Sequence, residues 1–146
     1  MTDFIIETVE ERHLEAIFEI EKVSFSLPWG LAALENQMKS KDCIFIAAVQ
    51  AERVLGYAGL MSVLDEGYIS NIAVEPNSRR QGVAYALIAE LVRHTRDRLS
   101  FITLELRESN KAAAAVYKKH GFVRVGTRKN YYAKPKEDAV LMTLFY

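Results

Sequence analysis

Residues 71–84, Asn71-Ile72-Ala73-Val74-Glu75-Pro76-Asn77-Ser78-Arg79-Arg80-Gln81-Gly82-Val83-Ala84, run from an apolar strand through a basic, glycine-containing turn into an amphipathic helix. A helix start leaves backbone N–H groups unpaired and carries the positive end of the dipole, so a pyrophosphate can accept several hydrogen bonds there. Gly82 has no side chain to obstruct that approach. Arg79 and Arg80 add permanent charge at its mouth. The chemistry points to a nucleotide-like cofactor bearing several phosphates, although a solvated turn before a helix fits the same letters. A nucleotide loop of the Gly-x-x-x-x-Gly-Lys kind is missing from the sequence, as is an obvious carboxylate for magnesium.

Outward from this stretch, no Pro/Gly/Ser linker or repeat divides the 146 residues, and 50% hydrophobic content suffices for one core. One domain over 1–146 is the expectation. Nineteen basic and nineteen acidic side chains cancel, so no global field recruits nucleic acid or an anionic membrane. The single Cys43 forms no internal disulfide and opens an apolar run through Val49, where it reads as a small buried hydrophobe. His13, His94, His120 and Cys43 lack paired metal-ligand spacing, so no metal is expected. No leader pattern and no bilayer-length apolar run is visible, which makes a cytoplasmic protein the expectation and a monomer the default.

Hydrophobic periodicity predicts a strand at 3–9, a helix at 11–23 with an apolar stripe of Leu14, Ile17, Phe18 and Phe25, and a helix at 30–39. Strands at 43–50, 53–63 and 66–75 read as an antiparallel meander. A helix at 81–98 presents Ala84, Leu87, Ile88, Leu91, Val92 and Thr95 on one face. A strand at 101–106, a helix at 110–120 stopped by Gly121, and strands at 122–132 and 139–145 complete the order βααβββαβαββ. That order implies an α/β fold with a mixed, mostly antiparallel sheet flanked by helices.

In strand 101–106, alternation puts Ile102, Leu104 and Leu106 on one face and Phe101, Thr103 and Glu105 on the other. Glu105 fits either a half-exposed outer face or a general base, since a carboxylate in a cleft can take the proton of an attacking amine. Asn110 is a good helix cap, and Tyr117 lies two turns beyond it. Tyr117 fits ordinary packing or a proton donor to a departing thiolate.

Arg79-Arg80-Gln81-Gly82-Val83-Ala84 resembles the Gln/Arg-x-x-Gly-x-Gly/Ala signature of the GCN5-related N-acetyltransferases, with Ala84 a permitted replacement for the second glycine. The element order is also that family's, so the resemblance spans essentially the whole chain. It implies acetyl-coenzyme A as cosubstrate, its pantetheine arm on the backbone of Ile72, Ala73 and Val74. Further contacts would come from Arg79, Arg80, Gln81, Gly82, Val83, Ala84 and Tyr85. The segment Leu104-Glu105-Leu106-Arg107-x-Ser109-Asn110-x-Ala112-Ala113-x-x-x-Tyr117-x-x-x-Gly121-Phe122 resembles the family's RimI-type branch, the bacterial N-terminal alanine acetyltransferases. That likeness implies Glu105 as proton acceptor, Tyr117 as proton donor and Asn110 as a cofactor contact. Pro28-Trp29, and Arg128-Lys129-Asn130-Tyr131-Tyr132 before Glu137-Asp138-Ala139-Val140-Leu141-Met142, resemble segments beside the peptide site, which implies Trp29, Tyr131 and Tyr132 as acceptor contacts. Paired tyrosines in a hairpin equally fit plain strand chemistry. Glu108 departs from the pattern and adds a charge near the site.

The implied acceptor is the N-terminal alanine of a small-subunit ribosomal protein. An α-amine, with an ordinary pKa of about 7.7–8.0, is far more often neutral at pH 7 than a lysine at about 10.4, so it asks less of a glutamate base. Other amines of the same class (lysine, a polyamine, a small metabolite) and a non-catalytic coenzyme A-binding module are the alternatives.

Overall fold

A computed structural model describes residues 3–146; the first two residues of the expected 1–146 domain lie outside the described residues. The chain forms β1 (Ile5–Thr8), α1 (Leu14–Ser24), α2 (Leu31–Lys39), β2 (Cys43–Gln50), β3 (Arg53–Val63), β4 (Glu66–Val74), α3 (Val83–Thr95), β5 (Phe101–Arg107), α4 (Lys111–Lys119), β6 (Val123–Ala133) and β7 (Lys136–Phe145). Short 3-10 turns at Glu11–His13 and Pro76–Ser78 lead into α1 and precede α3. The seven strands make one sheet in the order β1-β2-β3-β4-β5-β7-β6, antiparallel everywhere except between β4 and β5. This is the expected α/β class, element order and mixed sheet.

The unbroken apolar run of β2 reflects cover on both faces. Ile46 and Ala48 join the cluster that Leu87, Ile88 and Leu91 of α3 form with Ile102, Leu104 and Leu106 of β5. Phe45, Ala47 and Val49 join Leu14, Ile17 and Ile20 of α1 and Leu34 of α2 on the opposite face. Each such aliphatic side chain, fully buried, contributes about 1.5–3 kcal/mol of transfer free energy.

Several boundaries differ from the periodicity, β7 among them, which starts at Lys136 rather than 139, and the ends of α3 and α1 differ for identifiable reasons. α3 begins at Val83 rather than 81 because Gly82 is left-handed, with φ of 80°, and serves as the cap rather than the first turn. It ends at Thr95, whose buried hydroxyl donates to the carbonyl of Leu91 at 2.8 Å. α1 ends at Ser24, and Phe25 is extended and 40% exposed, so the inward stripe is Leu14, Ile17, Ile20 and Glu21 instead of one carrying Phe25. A period of 3.6 residues groups Phe25 with that stripe only if the helix continues, and it does not.

Candidate functional site

β4 and β5 pair at only three positions, Glu66 with Phe101, Gly67 with Ile102 and Tyr68 with Thr103. Beyond these, β4 continues along β3 to Val74 while β5 continues along β7 to Arg107, so the sheet forks. The fork starts at a bulge: Gly59 and Leu60 of β3 face Asn71 and Ile69 of β4, leaving Ser70 as the extra residue. The bulge is fastened from behind by Gln37 of α2, whose Nε2 donates to Asn71 Oδ1 and to Ser70 Oγ, both at 3.0 Å. Gly59 makes room for that contact, since a Cβ there would sit 1.9 Å from Gln37 Nε2 and 2.4 Å from Asn71 Oδ1. The backbone groups of Ile69–Val74 that face β5 therefore border an open cleft rather than a neighbouring strand.

A cleft of about 750 Å³ runs from the fork to the start of α3, lined by Ile72, Ala73, Val74, Arg79, Arg80, Gly82, Val83, Ala84 and Tyr85, with Asn110, Ala113, Tyr117 and Lys119 opposite. The N-cap of α3 is Gly82, which has no side chain to cap the helix, and a Cβ on it would meet nothing within 4 Å. The turn before it is built rather than loose. Glu75 N–H donates to Leu55 at 2.8 Å, Ser78 Oγ donates to Glu75 Oε1 at 2.6 Å, and Arg79 Nε donates to the Val74 carbonyl at 3.2 Å. Tyr85 stacks on His120 with ring centroids 4.2 Å apart, and His120 Nε2–H donates to the Tyr85 carbonyl at 3.1 Å. Gln81 alone of residues 79–85 is absent from the wall; its Nε2 donates to the Asn77 carbonyl at 3.5 Å.

A second cleft, of about 330 Å³, lies on the β5 side of the fork and is lined by Tyr68, Ser70, Asn71, Glu105, Arg107, Tyr131 and Tyr132. Ser24, Phe25, Ile72, Asn110, Ala113 and Tyr117 line both clefts, so the two meet at these residues. The Glu105 side chain is only 12% exposed. Its Oε1 accepts the Tyr68 hydroxyl at 3.1 Å, and Arg128 Nε stands 2.8 Å from its Oε2 as a charge contact without hydrogen-bond alignment. Burial, and then the Glu105 charge, push the Tyr68 phenol well above its ordinary range, so it stays a donor. Tyr117 is buried against Phe122, with ring centroids 5.4 Å apart; burial first and Tyr132 second raise its phenol likewise. Asn110 caps α4, its Oδ1 accepting the Ala113 N–H at 3.2 Å.

Among the described residues, four buried polar side-chain atoms lack a hydrogen bond, and three of them, Ser24 Oγ, Asn71 Nδ2 and Glu105 Oε2, belong to walls of the second cleft. Such buried atoms are costly unless a partner satisfies them, and Glu105 Oε2 has only the Arg128 charge contact. No group of three or more His, Cys, Asp or Glu able to hold a metal is present among the described residues, and none of their helices is long and apolar enough to cross a membrane.

Residues 14–122 match the acetyltransferase (GNAT) family. The chain belongs to that family. Among its relatives, the ribosomal protein bS18-alanine N-acetyltransferase of Haemophilus ducreyi is 33% identical over 145 residues, which is 97% of this chain and 99% of that protein. The protein of the same name from Escherichia coli K12 is 33% identical over 142 residues, 95% of each. The crystal structure of the Escherichia coli ribosomal-protein-S18-alanine N-acetyltransferase matches with a TM-score of 0.89 at 32% identity, covering 98% of this chain and 94% of that one. At the level of fold alone, Arabidopsis thaliana NAA60 in complex with acetyl-CoA matches with a TM-score of 0.90 at 20% identity.

Sequence patterns do not show what Phe25 and Arg107 do in the clefts of this GNAT domain, nor where Trp29 lies. Trp29, expected at the acceptor side, lines neither cleft; it packs against the α1–α2 cluster, and its backbone N–H donates to Glu21 Oε1 at 2.9 Å. Glu21 is fully buried and also accepts the Tyr57 hydroxyl, so the residues after α1 are tied down through it and Phe25 is turned into the clefts. Arg107, two residues from Glu105 on the same strand face, clamps the β6–β7 hairpin over the second cleft. It donates to the carbonyls of Pro135 and Lys134 at 2.9 Å each and to Glu137 Oε1 at 3.2 Å, and lies 4.4 Å from the Tyr132 ring centre. Burial leads in raising the Tyr132 phenol to about 12.

Glu137 also accepts the Ser109 N–H at 2.5 Å. Hydrogen bonding from Ser109 leads, and Arg107 helps, in holding its carboxyl below the ordinary value of 4.5. A carboxyl depressed in the folded state stabilises above its unfolded value and loses that contribution as pH falls through its folded value. In an NMR titration the Ser109 amide resonance is expected to move with a midpoint below that of an ordinary glutamate. A midpoint at or above 4.5 would mean that the hairpin lock does not form in solution.

Proposed function

We propose that this GNAT domain transfers the acetyl group of acetyl-coenzyme A to the N-terminal α-amine of a protein, the alanine terminus of a small-subunit ribosomal protein being the acceptor that the relatives' names support. The observation that carries the reading is the junction of the clefts. Tyr117 and Asn110 belong to both walls, whereas Glu105 lies only in the smaller one. The larger cleft offers phosphate-binding chemistry at the start of α3 and an open strand edge for an extended amide-bearing arm. Its size falls within the usual range for cofactor pockets, roughly 300–1,000 Å³. The smaller cleft offers unsatisfied polar atoms and a carboxylate to an amine.

The roles follow from these positions. Acetyl-coenzyme A supplies a thioester carbonyl, and the neutral amine forms the new C–N bond as the C–S bond breaks. Glu105, directly or through water, takes the proton that the amine gives up, and Tyr117 donates one to the departing sulfur, so protons balance over the turn. Burial keeps the Tyr117 phenol protonated, so its hydroxyl is available to hydrogen-bond the sulfur as it departs. Tyr131 and Tyr132 border the amine's approach, and Asn110, Arg79, Arg80 and the backbone of 82–85 hold the cosubstrate. The reading carries a cytoplasmic address and needs no second subunit, since one chain lines both clefts.

Mass spectrometry of an alanine-starting peptide with one internal lysine, incubated with acetyl-coenzyme A and fragmented, tests it. A label on the terminal amine is expected; a label on lysine alone would overturn the acceptor class, and no label would overturn peptide acetylation. Tyr117→Phe removes only the hydroxyl and is expected to lower kcat about 10²-fold, with acetyl-coenzyme A binding little changed. Unaltered turnover would return Tyr117 to packing.

A further inference from the structure

The two arginines of the acceptor cleft are held very differently. Arg107 is fixed at two carbonyls, a carboxylate and an aromatic face. Arg128 has a single partner among the described residues, Glu105 Oε2, and its side chain is 56% exposed although that of Glu105 is 12% exposed. The backbone around it is also out of step with its neighbour. The β6–β7 register breaks between Arg128 and Tyr132, Asn130 takes a φ of 56°, and its N–H is held by Asp138 Oδ1 at 2.7 Å rather than by the ladder.

Glu105 thus presents one oxygen committed to Tyr68, which keeps its proton, and one that faces only a loosely tethered cation. A buried carboxylate left without a counter-charge is costly, and an amine arriving as an ammonium brings its own. We propose that Arg128 is a displaceable counter-ion that holds the acceptor's place at Glu105 Oε2 and is exchanged for the acceptor's ammonium as the substrate docks. Acceptor binding is then a replacement of one cation by another. Arg128 thereby favours acceptors that arrive as cations; once bound, the ammonium gives one proton to water, and the neutral amine then attacks with Glu105 taking the second proton. The inference rests on reading the smaller cleft as the amine site.

The test compares wild-type protein with Arg128→Met, which keeps the length of the side chain and removes its charge; at this exposed edge-strand position the fold tolerates the change. The wild-type protein is assayed first with the alanine-starting peptide. If it acetylates no peptide amine, the acceptor reading itself has failed. Given wild-type activity, removal of the competing cation is expected to lower the peptide KM about two- to tenfold and to raise kcat/KM, and calorimetry with coenzyme A present should show tighter peptide binding by a similar factor. A fall in kcat at unchanged peptide KM would overturn the exchange, because it would make Arg128 a fixed orienting partner of Glu105. A raised peptide KM would overturn it as well, since Arg128 would then attract the acceptor.

Discussion

Glu105→Gln lowers kcat about 10²- to 10⁴-fold in the expected result, while the dissociation constant for acetyl-coenzyme A changes less than about threefold. The amide keeps the size of the side chain and still accepts the Tyr68 hydroxyl, so the wall of the cleft survives. What it loses is the capacity to take a proton. Single-turnover kinetics with saturating peptide, together with calorimetry for the cosubstrate, separate the two quantities. Turnover within a few-fold of wild type would remove Glu105 as the base, and an equal loss of cosubstrate binding would recast it as a structural residue.

The second large effect concerns stability. Gly59→Ala is expected to cost about 2–4 kcal/mol, because the new Cβ overlaps Gln37 and Asn71 and expels two buried amides from their mutual hydrogen bond. For a chain of this size that corresponds to a fall in Tm of roughly 5–15 °C. Urea unfolding measures the cost directly. A loss under about 0.5 kcal/mol would mean that Gln37 swings aside freely and that the bulge holds without it. With the bulge loosened, Ser70 and Asn71 lose their set position in the second cleft, so on the proposed reading of that cleft peptide KM should rise more than cosubstrate KM.

Much of the architecture was legible because period and punctuation agree along the chain. The alternation of Phe101–Leu106 predicts the inward set Ile102, Leu104 and Leu106, and the buried residues are those. The turn at 79–82 stands at the head of α3 as expected, displaced by the two residues that the left-handed Gly82 removes from the helix. The site was less legible, for a physical reason. The alternation leaves Glu105 on either an outer face or a cleft wall, and a strand pattern has no means to say that the β6–β7 hairpin will enclose it. Tyr68, Arg107 and Arg128 meet Glu105 or its roof through partners some 20 to 40 residues away, and Ser70 becomes a bulge only by mismatch with β3. Trp29 was placed by likeness of its neighbourhood, whereas the packing of α1 on α2 turns it inward and brings Phe25 to the clefts in its stead.

The forked edge of β4 also bears on solubility. Bare strand edges invite another molecule's strand and so seed aggregation, and proteins commonly blunt them with charge, proline or a covering segment. Here the bare stretch from Ile69 to Val74 lies inside the sheet, flanked by β5 across the gap, with α3 and α4 lining the same cleft. A thin, flexible chain can slide into that slot, but a foreign sheet is too broad to enter. The enzyme can therefore keep backbone groups exposed for recognition, insensitive to side-chain drift along the strand, without offering a template for fibril growth.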